Sequence, residues 1–372
     1  MILNMRIVIL TPTTLPSITG NAITAERWRR SLQKKGMGVT VMATQNLNAG
    51  DFLSRLRRIK PDLIHVHHAF RSGNLLLEAP GVSPVISPVI SDDNGPPLVV
   101  SPGGTDINLD FEIEEKREII TRVYQKACFI IAQDIQMVKH LGELFPSLRE
   151  RIIQVPKAFY WLGNETFNLR KAVACKDDEI LFFLPAGIRP VKGNLECLRT
   201  FKQIYSACPR VRIVFAGPAL DRNYAEQFDR ELENHRPFAT WIPPIPPEAM
   251  RSAYQSSDIV LNTSFSEGLS NVLLESVAAG RPVLASNIPG NRWPVLGEEG
   301  KEPVGLLFDV DNPEDLIVKA LKLIDDEKLR QSFIRTAKER ASRWPTPEDE
   351  ADGLIRVYET AITSSRPPIQ PV

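Results

Sequence analysis

The sequence lacks paired cysteines and long apolar runs, and each absence excludes a class of protein. The 372 residues include four cysteines and no Cys-x-x-Cys spacing: Cys128, Cys175, Cys197 and Cys208. We therefore expect neither a disulfide framework nor a structural zinc site, and we expect a reducing compartment, the cytoplasm. No apolar run approaches the ~18 residues of a membrane span, and the first residues lack the pattern of a signal peptide.

An excess of charge of either sign is also missing. The 45 Lys and Arg residues balance 45 Asp and Glu residues, so the formal net charge is zero. This balance argues against nucleic acid or an anionic membrane as a bulk electrostatic partner, although peripheral membrane contact stays open. The sequence does not indicate an oligomeric state. At ~150 residues per domain, the length predicts two domains.

Short apolar runs alternate with amphipathic segments along the chain, which is typical of β-α units around parallel sheets. In the first half the pattern predicts two helices, 22–35 and 52–59, and strands at 6–10, 39–43, 63–67, 98–101, 128–132 and 152–155. In the second half it predicts helices from 194, at 224–233 and at 270–279, and strands at 179–184, 212–216, 240–242, 259–262, 282–285 and 305–308. A last helix at 347–361 follows Trp344-Pro345.

Because the strand and helix pattern restarts, we expect an α/β protein of two doubly wound, Rossmann-like domains that face each other across a cleft. The predicted bounds are 1–162 and 163–346, with 347–372 crossing back onto the first domain. The proline-rich segment 79–97 predicts an inserted loop or hairpin, and the tail from Arg366 is expected to be disordered. Ligands gather at the carboxyl ends of parallel strands, so the chemistry is expected in those loops.

Two carboxylates flank the start of the predicted helix at 270–279. Glu267 precedes this helix, Gly268 permits a tight turn, and Glu275 lies in the second turn. Free N–H groups of a first helical turn bind anions and hydroxyls, and carboxylates accept hydrogen bonds from sugar or ribose hydroxyls. The alternative is that both glutamates only stabilise the positive end of the helix.

A second loop, between the predicted strand 179–184 and the helix from 194, carries two cations bracketed by glycines. Arg189 and Lys192 suit a diphosphate, because Arg donates bidentate hydrogen bonds and Lys acts as a point charge. The spacing is not that of a Walker loop. The alternative is that both are solvated loop cations.

Histidines and glycine-led turns mark the first domain. In His65-Val66-His67-His68, strand alternation places His65 and His67 on one face, and the carboxyl end of the strand places His67 or His68 near the cleft. The functional interpretations are hydroxyl positioning, proton relay and metal binding, and the last lacks an acidic partner at helical spacing. The turns that contain Gly20, Asn21 and Thr24, and then Gly104, Thr105 and Asp106, offer free N–H groups and short polar side chains to a ligand. A buried structural role for His65 and helix capping by Asp106 are the alternatives. The Asp309-Val310-Asp311 segment runs into Pro313 and predicts a turn and a helix start, not a metal motif.

Together these residues resemble the retaining glycosyltransferases of family 4, which have the GT-B fold. The match is carried by E-G-L-S-N-V-L-L-E from Glu267 to Glu275, by the A-A-G-R-P-V-L-A-S that follows it, and by F-A-G-P, G-L-L-F and Ser342-Arg343-Trp344. Gly104-Thr105-Asp106-Ile107-Asn108 and I-R-P-V-K are similar to the group called glycosyltransferase 1 domain-containing proteins.

The resemblance implies three groups of site residues. The catalytic group would hold the donor sugar and its diphosphate: Glu267, Lys192, Arg189 and His67. The donor-binding group would hold the rest of the nucleotide sugar: Glu275, Gly268, Leu269, Ser270, Asn271, Gly217, Pro244 and Ile245. The acceptor-side group is Gly20, Asn21, Thr24, Gly104, Thr105 and Asp106.

Within these groups Glu275 would bind the ribose, the main chain at 244–245 would contact the base, and His67 would contact the donor sugar or support the acceptor. The implied activity is a retaining, metal-independent transfer of a hexose or N-acetylhexosamine, from a nucleotide diphosphate sugar such as a UDP-sugar, to an acceptor that the sequence does not identify. The alternatives are a nucleotide-sugar 2-epimerase on the same fold and a catalytically silent nucleotide-sugar binder.

Overall fold

The computed structural model of the protein describes residues 4–77 and 95–364. Two compact units are present. Unit 1 comprises the residues up to Tyr160 together with those from Pro345, and unit 2 comprises Trp161–Trp344. The chain therefore leaves unit 1 after Tyr160 and returns to it after Trp344, where the sequence pattern predicted boundaries at 162 and 346.

Unit 1 is built on a six-stranded parallel sheet in the order β2-β1-β3-β4-β5-β6. Its strands are β1 (Arg6–Thr11), β2 (Gly38–Ala43), β3 (Leu63–His67), β4 (Leu98–Ser101), β5 (Phe129–Ala132) and β6 (Ile152–Gln154). The strand order reverses between β1 and β3, so the loops after these two strands leave the sheet on opposite faces. Such a switch point leaves a crevice at the carboxyl edge, where open α/β sheets bind ligands.

Helices cover both faces of this sheet. They are α1 (Gly20–Lys34), α2 (Ala49–Ile59), α3 (Thr105–Asn108), α4 (Glu114–Lys126) and α5 (Ile135–Leu144). Alternate residues of β1 enter different apolar cores: Val8 and Leu10 pack on one face, Ile7 and Ile9 on the other. Burial on both faces explains why the strands are continuous apolar runs.

Unit 2 repeats the design with the order β12-β11-β10-β7-β8-β9. Its strands are β7 (Ile180–Leu184), β8 (Val211–Ala216), β9 (Ala239–Ile242), β10 (Ile259–Asn262), β11 (Val283–Ser286) and β12 (Gly305–Phe308). Its helices are α6 (Leu169–Ala172), α7 (Asn194–Ala207), α8 (Arg222–Glu233), α9 (Met250–Gln255), α10 (Asn271–Ala278), α11 (Pro289–Leu296), α12 (Pro313–Asp325) and α13 (Glu327–Ser342). Here the order reverses between β7 and β10.

The last helix, α14 (Pro347–Ser364), packs on the sheet of unit 1. Leu354 and Tyr358 of this helix share a core with Ile7 and Trp28. The described part of the chain contains no helix that combines the length and the apolar character needed to cross a membrane.

The predicted α/β class with two doubly wound parallel sheets is confirmed, and the predicted strands at 259–262 and 305–308 have the observed bounds. Helix α1 begins at Gly20 and not at residue 22, because Thr19 is its N-cap and accepts a hydrogen bond from the N–H of Ala22 at 3.2 Å. The predicted insertion at 79–97 lies outside the described residues except for 95–97, and so does the tail from Arg366.

Candidate functional site

Two loops meet at the switch point of unit 2, one after β7 and one after β10. The N–H of Phe265 donates to the carbonyl of Val191 at 2.9 Å, and the Thr263 hydroxyl donates to the carbonyl of Lys192 at 2.8 Å. Gly193 has φ +61°, and a Cβ there would lie 2.5 Å from the Thr263 carbonyl oxygen. Only glycine therefore allows the two loops to approach this closely.

Lys192 and Glu267 form an ion pair across these loops. Lys192 Nζ lies 2.6 Å from Glu267 Oε1, and the two side chains are only 16% and 15% exposed. The same oxygen accepts hydrogen bonds from Ser264 Oγ at 2.7 Å and from Asn262 Nδ2 at 3.2 Å. Burial acts to raise the pKa of Glu267, but the Lys192 ammonium and these two donors outweigh it and hold the pKa below its ordinary value. The carboxylate is therefore ionised at neutral pH.

Buried polar side chains hold the Glu267 loop in place. Asn262 Nδ2 also donates to Ser270 Oγ at 2.8 Å, and Asn291 Nδ2 donates to the carbonyl and hydroxyl of Ser286 at 3.1 and 3.0 Å. A Cβ on Gly290 would lie 2.3 Å from the carbonyl oxygens of both Glu267 and Gly268. The start of α11 thus packs directly against the backbone of residues 267–268.

Glu275 lies in the second turn of α10, as the sequence predicts. It is partly exposed, and its Oε2 accepts a hydrogen bond from the Tyr254 hydroxyl at 2.8 Å. Tyr254 is fully buried on α9, so its hydroxyl holds the carboxylate in place from the protein interior. Glu275 is therefore held by this hydrogen bond while part of its side chain remains exposed to solvent.

The loop that carries Arg189 is anchored at the first residue of α7. The N–H of Arg189 donates to Asn194 Oδ1 at 3.3 Å, and Asn194 is fully buried. Within the described residues, Asn194 Nδ2 and the buried hydroxyl of Ser266 have no hydrogen-bond partner. Buried polar groups are normally paired, so these two atoms, at the start of α7 and in the loop after β10, are available to a polar ligand.

The remaining donor-side residues differ in exposure and in the part of the protein that they contact. A Cβ on Gly217 would lie 2.3 Å from the carbonyl oxygen of Ala186, so this glycine is required by the adjacent loop of the protein itself. Pro244 is exposed and Ile245 is buried in an apolar core. The other four line the start of α10, where Ser270 is buried: Gly268, Leu269, Ser270 and Asn271.

His67 ends β3 at the switch point of unit 1. It is 3% exposed, its Nδ1 lies 3.0 Å from Ser101 Oγ, and its ring meets Trp28 edge-on with centroids 5.0 Å apart. Burial, helped by the nearby Lys157 and the neighbouring histidines, lowers the pKa of His67 well below its ordinary value. The ring is thus a neutral group in a rigid position.

The first two turns of α1 hold three of the predicted acceptor-side residues. Gly20 is exposed, Asn21 is partly exposed, and Thr24 is buried with its Oγ1 3.4 Å from Lys157 Nζ. Helix α1 follows β1, so these turns lie at the same switch point as His67.

Asp106 has a structural role, but not as the helix cap that the sequence left as an alternative, because the N-cap of α3 is Gly104 and no side-chain cap hydrogen bond is made there. Its carboxylate is fully buried and accepts hydrogen bonds from the N–H groups of Ala69 at 2.7 Å, Gly103 at 3.0 Å and Gly104 at 2.9 Å. Gly104 has φ +100°, which glycine adopts without strain, and Thr105 Oγ1 lies 2.9 Å from His68 Nε2. These bonds tie the loop after β4 to the loop after β3.

Across 4–77 and 95–364, no three His, Cys, Asp or Glu side chains are grouped so as to hold a metal ion. The Asp309 segment forms the expected turn, in which Asp309 Oδ1 accepts from the N–H of Asp311 at 3.1 Å before α12 begins at Pro313.

Four polar residues that support the site were not predicted from the sequence. Asn262, Ser264, Asn291 and Tyr254 all contact the two predicted glutamates or their loop. One signal was available for Asn262, because a polar residue that ends an apolar strand faces the carboxyl edge of the sheet. Tyr254 and Asn291 come from separate helices and had no local signal.

Comparison with known proteins assigns a class to this arrangement. Residues 165–340, all within unit 2, match the family of glycosyl transferases group 1. The structure is similar to a sucrose-phosphate synthase from Thermosynechococcus elongatus, with a TM-score of 0.76 and 14% identity over 97% of this chain and all of that chain. It is also similar to HepE of Anabaena in complex with UDP-glucose, with a TM-score of 0.73 and 16% identity over 98% of this chain and all of that one.

The chain is therefore a glycosyltransferase of the GT-B fold, and its unit 2 is a glycosyl transferases group 1 domain. It is 25% identical to glycosyltransferase 1 domain-containing protein 1 of Xenopus tropicalis over 350 residues, which cover 92% of this chain and 94% of that protein. It is also 25% identical to a D-inositol 3-phosphate glycosyltransferase of Acidothermus cellulolyticus, over 61% of this chain but only about half (52%) of that protein.

Proposed function

We propose that the protein transfers a hexose or N-acetylhexosamine from a nucleotide diphosphate sugar, a UDP-sugar, to an acceptor, with retention of configuration. The observation that carries this proposal is the half-buried Lys192–Glu267 pair at the switch point of the group 1 domain. An ammonium and an ionised carboxylate in contact match the two parts of such a donor, its anionic diphosphate and its hydroxyl-rich sugar.

The donor-side roles follow from charge. Arg189 and Lys192 bind the diphosphate, and Glu267 accepts hydrogen bonds from the sugar hydroxyls with help from the backbone amides of 268–270. Glu275, held by Tyr254, binds the ribose, and the main chain near Pro244 and Ile245 contacts the base. A UDP-sugar is supported by the fold neighbour from Anabaena, which was solved with UDP-glucose.

The reaction breaks the bond between the anomeric carbon and the diphosphate oxygen and forms a bond from the same face to the acceptor. The nucleoside diphosphate leaves with the electron pair of the broken bond, and its phosphate oxygen takes up the proton of the acceptor. Lys192 and Arg189 stabilise the negative charge that develops on this oxygen. Because two cations supply that charge, we propose that the transfer requires no metal ion, so activity should persist in excess EDTA.

The acceptor side is assigned to unit 1. His67 and the first two turns of α1, with Gly20, Asn21 and Thr24, bind a substrate hydroxyl, and Gly104 and Thr105 support them. The acceptor itself is left as an unidentified nucleophile. We place the protein in the cytoplasm, in keeping with its four reduced cysteines, Cys128, Cys175, Cys197 and Cys208.

A nucleotide-sugar screen tests the proposal directly. Wild type should gain thermal stability with UDP-sugars, since a ligand that binds only the folded state stabilises it by mass action. Lys192→Ala and Glu267→Gln should each lose this shift and reduce transfer at least about 100-fold. Lys301→Ala removes an exposed cation of unit 2 and should change neither. Retained transfer in both site variants, or conversion of UDP-N-acetylglucosamine without an acceptor, would overturn the proposal.

A further inference from the structure

A chain of hydrogen bonds runs from α14 to His67. The Tyr358 hydroxyl lies 2.7 Å from Nδ1 of His65, and Nε2 of His65 lies 2.9 Å from Ser101 Oγ. The same oxygen lies 3.0 Å from Nδ1 of His67. All four side chains are at most 3% exposed, so this series of hydrogen bonds lies in the interior of unit 1.

Burial keeps both rings neutral. It lowers the pKa of His65 to about 3 and that of His67 well below the ordinary value. A neutral imidazole has one N–H donor and one bare nitrogen acceptor, so each link of the chain fixes the next. Ser101 has a single proton, which means that it donates to one ring and accepts from the other.

The direction of the chain is set at its Tyr358 end. Burial raises the pKa of Tyr358 well above its ordinary value, so the phenol keeps its proton. A phenol is a better donor than an imidazole N–H, and a bare imidazole nitrogen is a better acceptor than a phenol oxygen. The favoured arrangement has Tyr358 donating to His65 Nδ1, His65 Nε2–H donating to Ser101, and Ser101 donating to His67 Nδ1.

Trp28 holds both rings against rotation. Its indole stacks on His65 with centroids 4.9 Å apart and contacts His67 edge-on. Its own N–H donates to the buried carboxyl group of Glu350 at 2.8 Å. Because Glu350 and Tyr358 both belong to α14, this helix fixes the histidines through two separate contacts.

We propose that Tyr358 is a positioning residue which acts through His65 and Ser101 to hold His67 in the tautomer that carries its proton on Nε2. His67 then presents an N–H donor and not a bare nitrogen at the carboxyl end of β3. That this donor meets a substrate hydroxyl rests on the proposed function. In the other tautomer Nε2 would be a bare nitrogen, so the substrate hydroxyl would have to donate the hydrogen bond and His67 would accept it.

The tautomer can be measured on the free protein. In protein with 15N-labelled histidine, the shifts of the ring nitrogens separate protonated from bare nitrogens. Wild-type His67 should be protonated at Nε2, and Tyr358→Phe and Ser101→Ala should each lower the fraction of that form. Tyr124→Phe is the matched control, since Tyr124 is fully buried in unit 1 and its hydroxyl has no partner among the described residues.

Kinetics separate the two proposals. Tyr358→Phe should lower kcat/KM for transfer about tenfold, and Tyr124→Phe should not change it. A wild-type His67 protonated on Nδ1, or a Tyr358→Phe protein with the wild-type tautomer, would overturn the positioning role. If the tautomer shifts as expected while no protein, wild type included, transfers sugar, the positioning role stands and the proposed function falls.

Discussion

Lys192 Nζ and Glu267 Oε1 lie 2.6 Å apart although 75 residues of sequence separate them. The contact exists because β7 and β10 are neighbours in the sheet, so the loops after these strands begin side by side. A half-buried pair of this kind costs desolvation for each charge and is stable only when both partners are present.

The first prediction concerns the stability of this pair. Lys192→Met or Glu267→Gln alone leaves a half-buried charge without its partner, whereas the double variant removes both charges. The double variant should therefore be destabilised by about 1–3 kcal/mol less than the sum of the single variants. Urea denaturation of the four proteins at neutral pH measures this coupling, and strictly additive losses would contradict a direct interaction.

The second prediction concerns Gly290. An alanine Cβ there would collide with the carbonyl oxygens of residues 267 and 268, so the Glu267 loop must shift. Displacements of about 1 Å at a reacting centre can cost about 100-fold in rate, and we expect a loss of this size in kcat/KM for Gly290→Ala. Gly142→Ala is the control, because its Cβ would be no closer than 3.6 Å to Arg149. Equal activity of the two variants would show that the loop position is not critical.

The third prediction concerns Glu350 and pH. Burial raises its pKa to about 7, against 4.5 as the ordinary value. Between these two pH values the unfolded chain has released the proton that the native protein retains, so this group makes the protein less stable as pH rises through the window. Glu350→Gln keeps an acceptor for Trp28 and removes the ionisation. Its melting temperature relative to wild type should rise by a few degrees between pH 4.5 and 7 and then level off.

Glu348→Gln is the control for this measurement. Glu348 lies in the same first turn of α14 but is exposed, so its substitution should give a difference from wild type that does not change across the window. A flat difference for Glu350→Gln as well would show that this carboxyl group is not held protonated.

The fourth prediction concerns Asp106. Removing its carboxylate leaves the N–H groups of Ala69, Gly103 and Gly104 without their buried acceptor. Asp106→Ala should therefore destabilise unit 1 by about 3 kcal/mol or more, while exposed Asp51→Ala should cost under about 1 kcal/mol. Thermal unfolding compares them. A stable Asp106→Ala protein that has lost only acceptor binding would instead place Asp106 in the acceptor site.

The fold could be predicted from the sequence because each strand is a short apolar run between amphipathic segments. That signal is local, which is why β10 and β12 have the predicted bounds while the start of α1 depended on the cap at Thr19. Glu267 and Glu275 could be found as a spaced pair in one segment. Their supports could not be found in this way, because Tyr254 and Asn291 reach the site only through tertiary packing.

Gly217 and Asp106 fit a ligand site by their sequence pattern but contact the protein itself in the structure. A glycine after a strand and an aspartate at a helix start both fit a ligand site in sequence. In the structure Gly217 makes room for the carbonyl group of Ala186, and Asp106 binds the backbone of its own unit. Residue type and spacing do not distinguish a group that faces a ligand from one that faces the protein.

The return of α14 to unit 1 has a consequence for biosynthesis. A ribosome releases the whole of unit 2 before it releases Leu354 and Tyr358, which complete the core around Ile7 and Trp28. Unit 2 is thus synthesised in full before α14, and the part of the unit 1 sheet face that α14 covers stays exposed until that helix emerges. Chaperone demand during synthesis should fall on the amino-terminal portion.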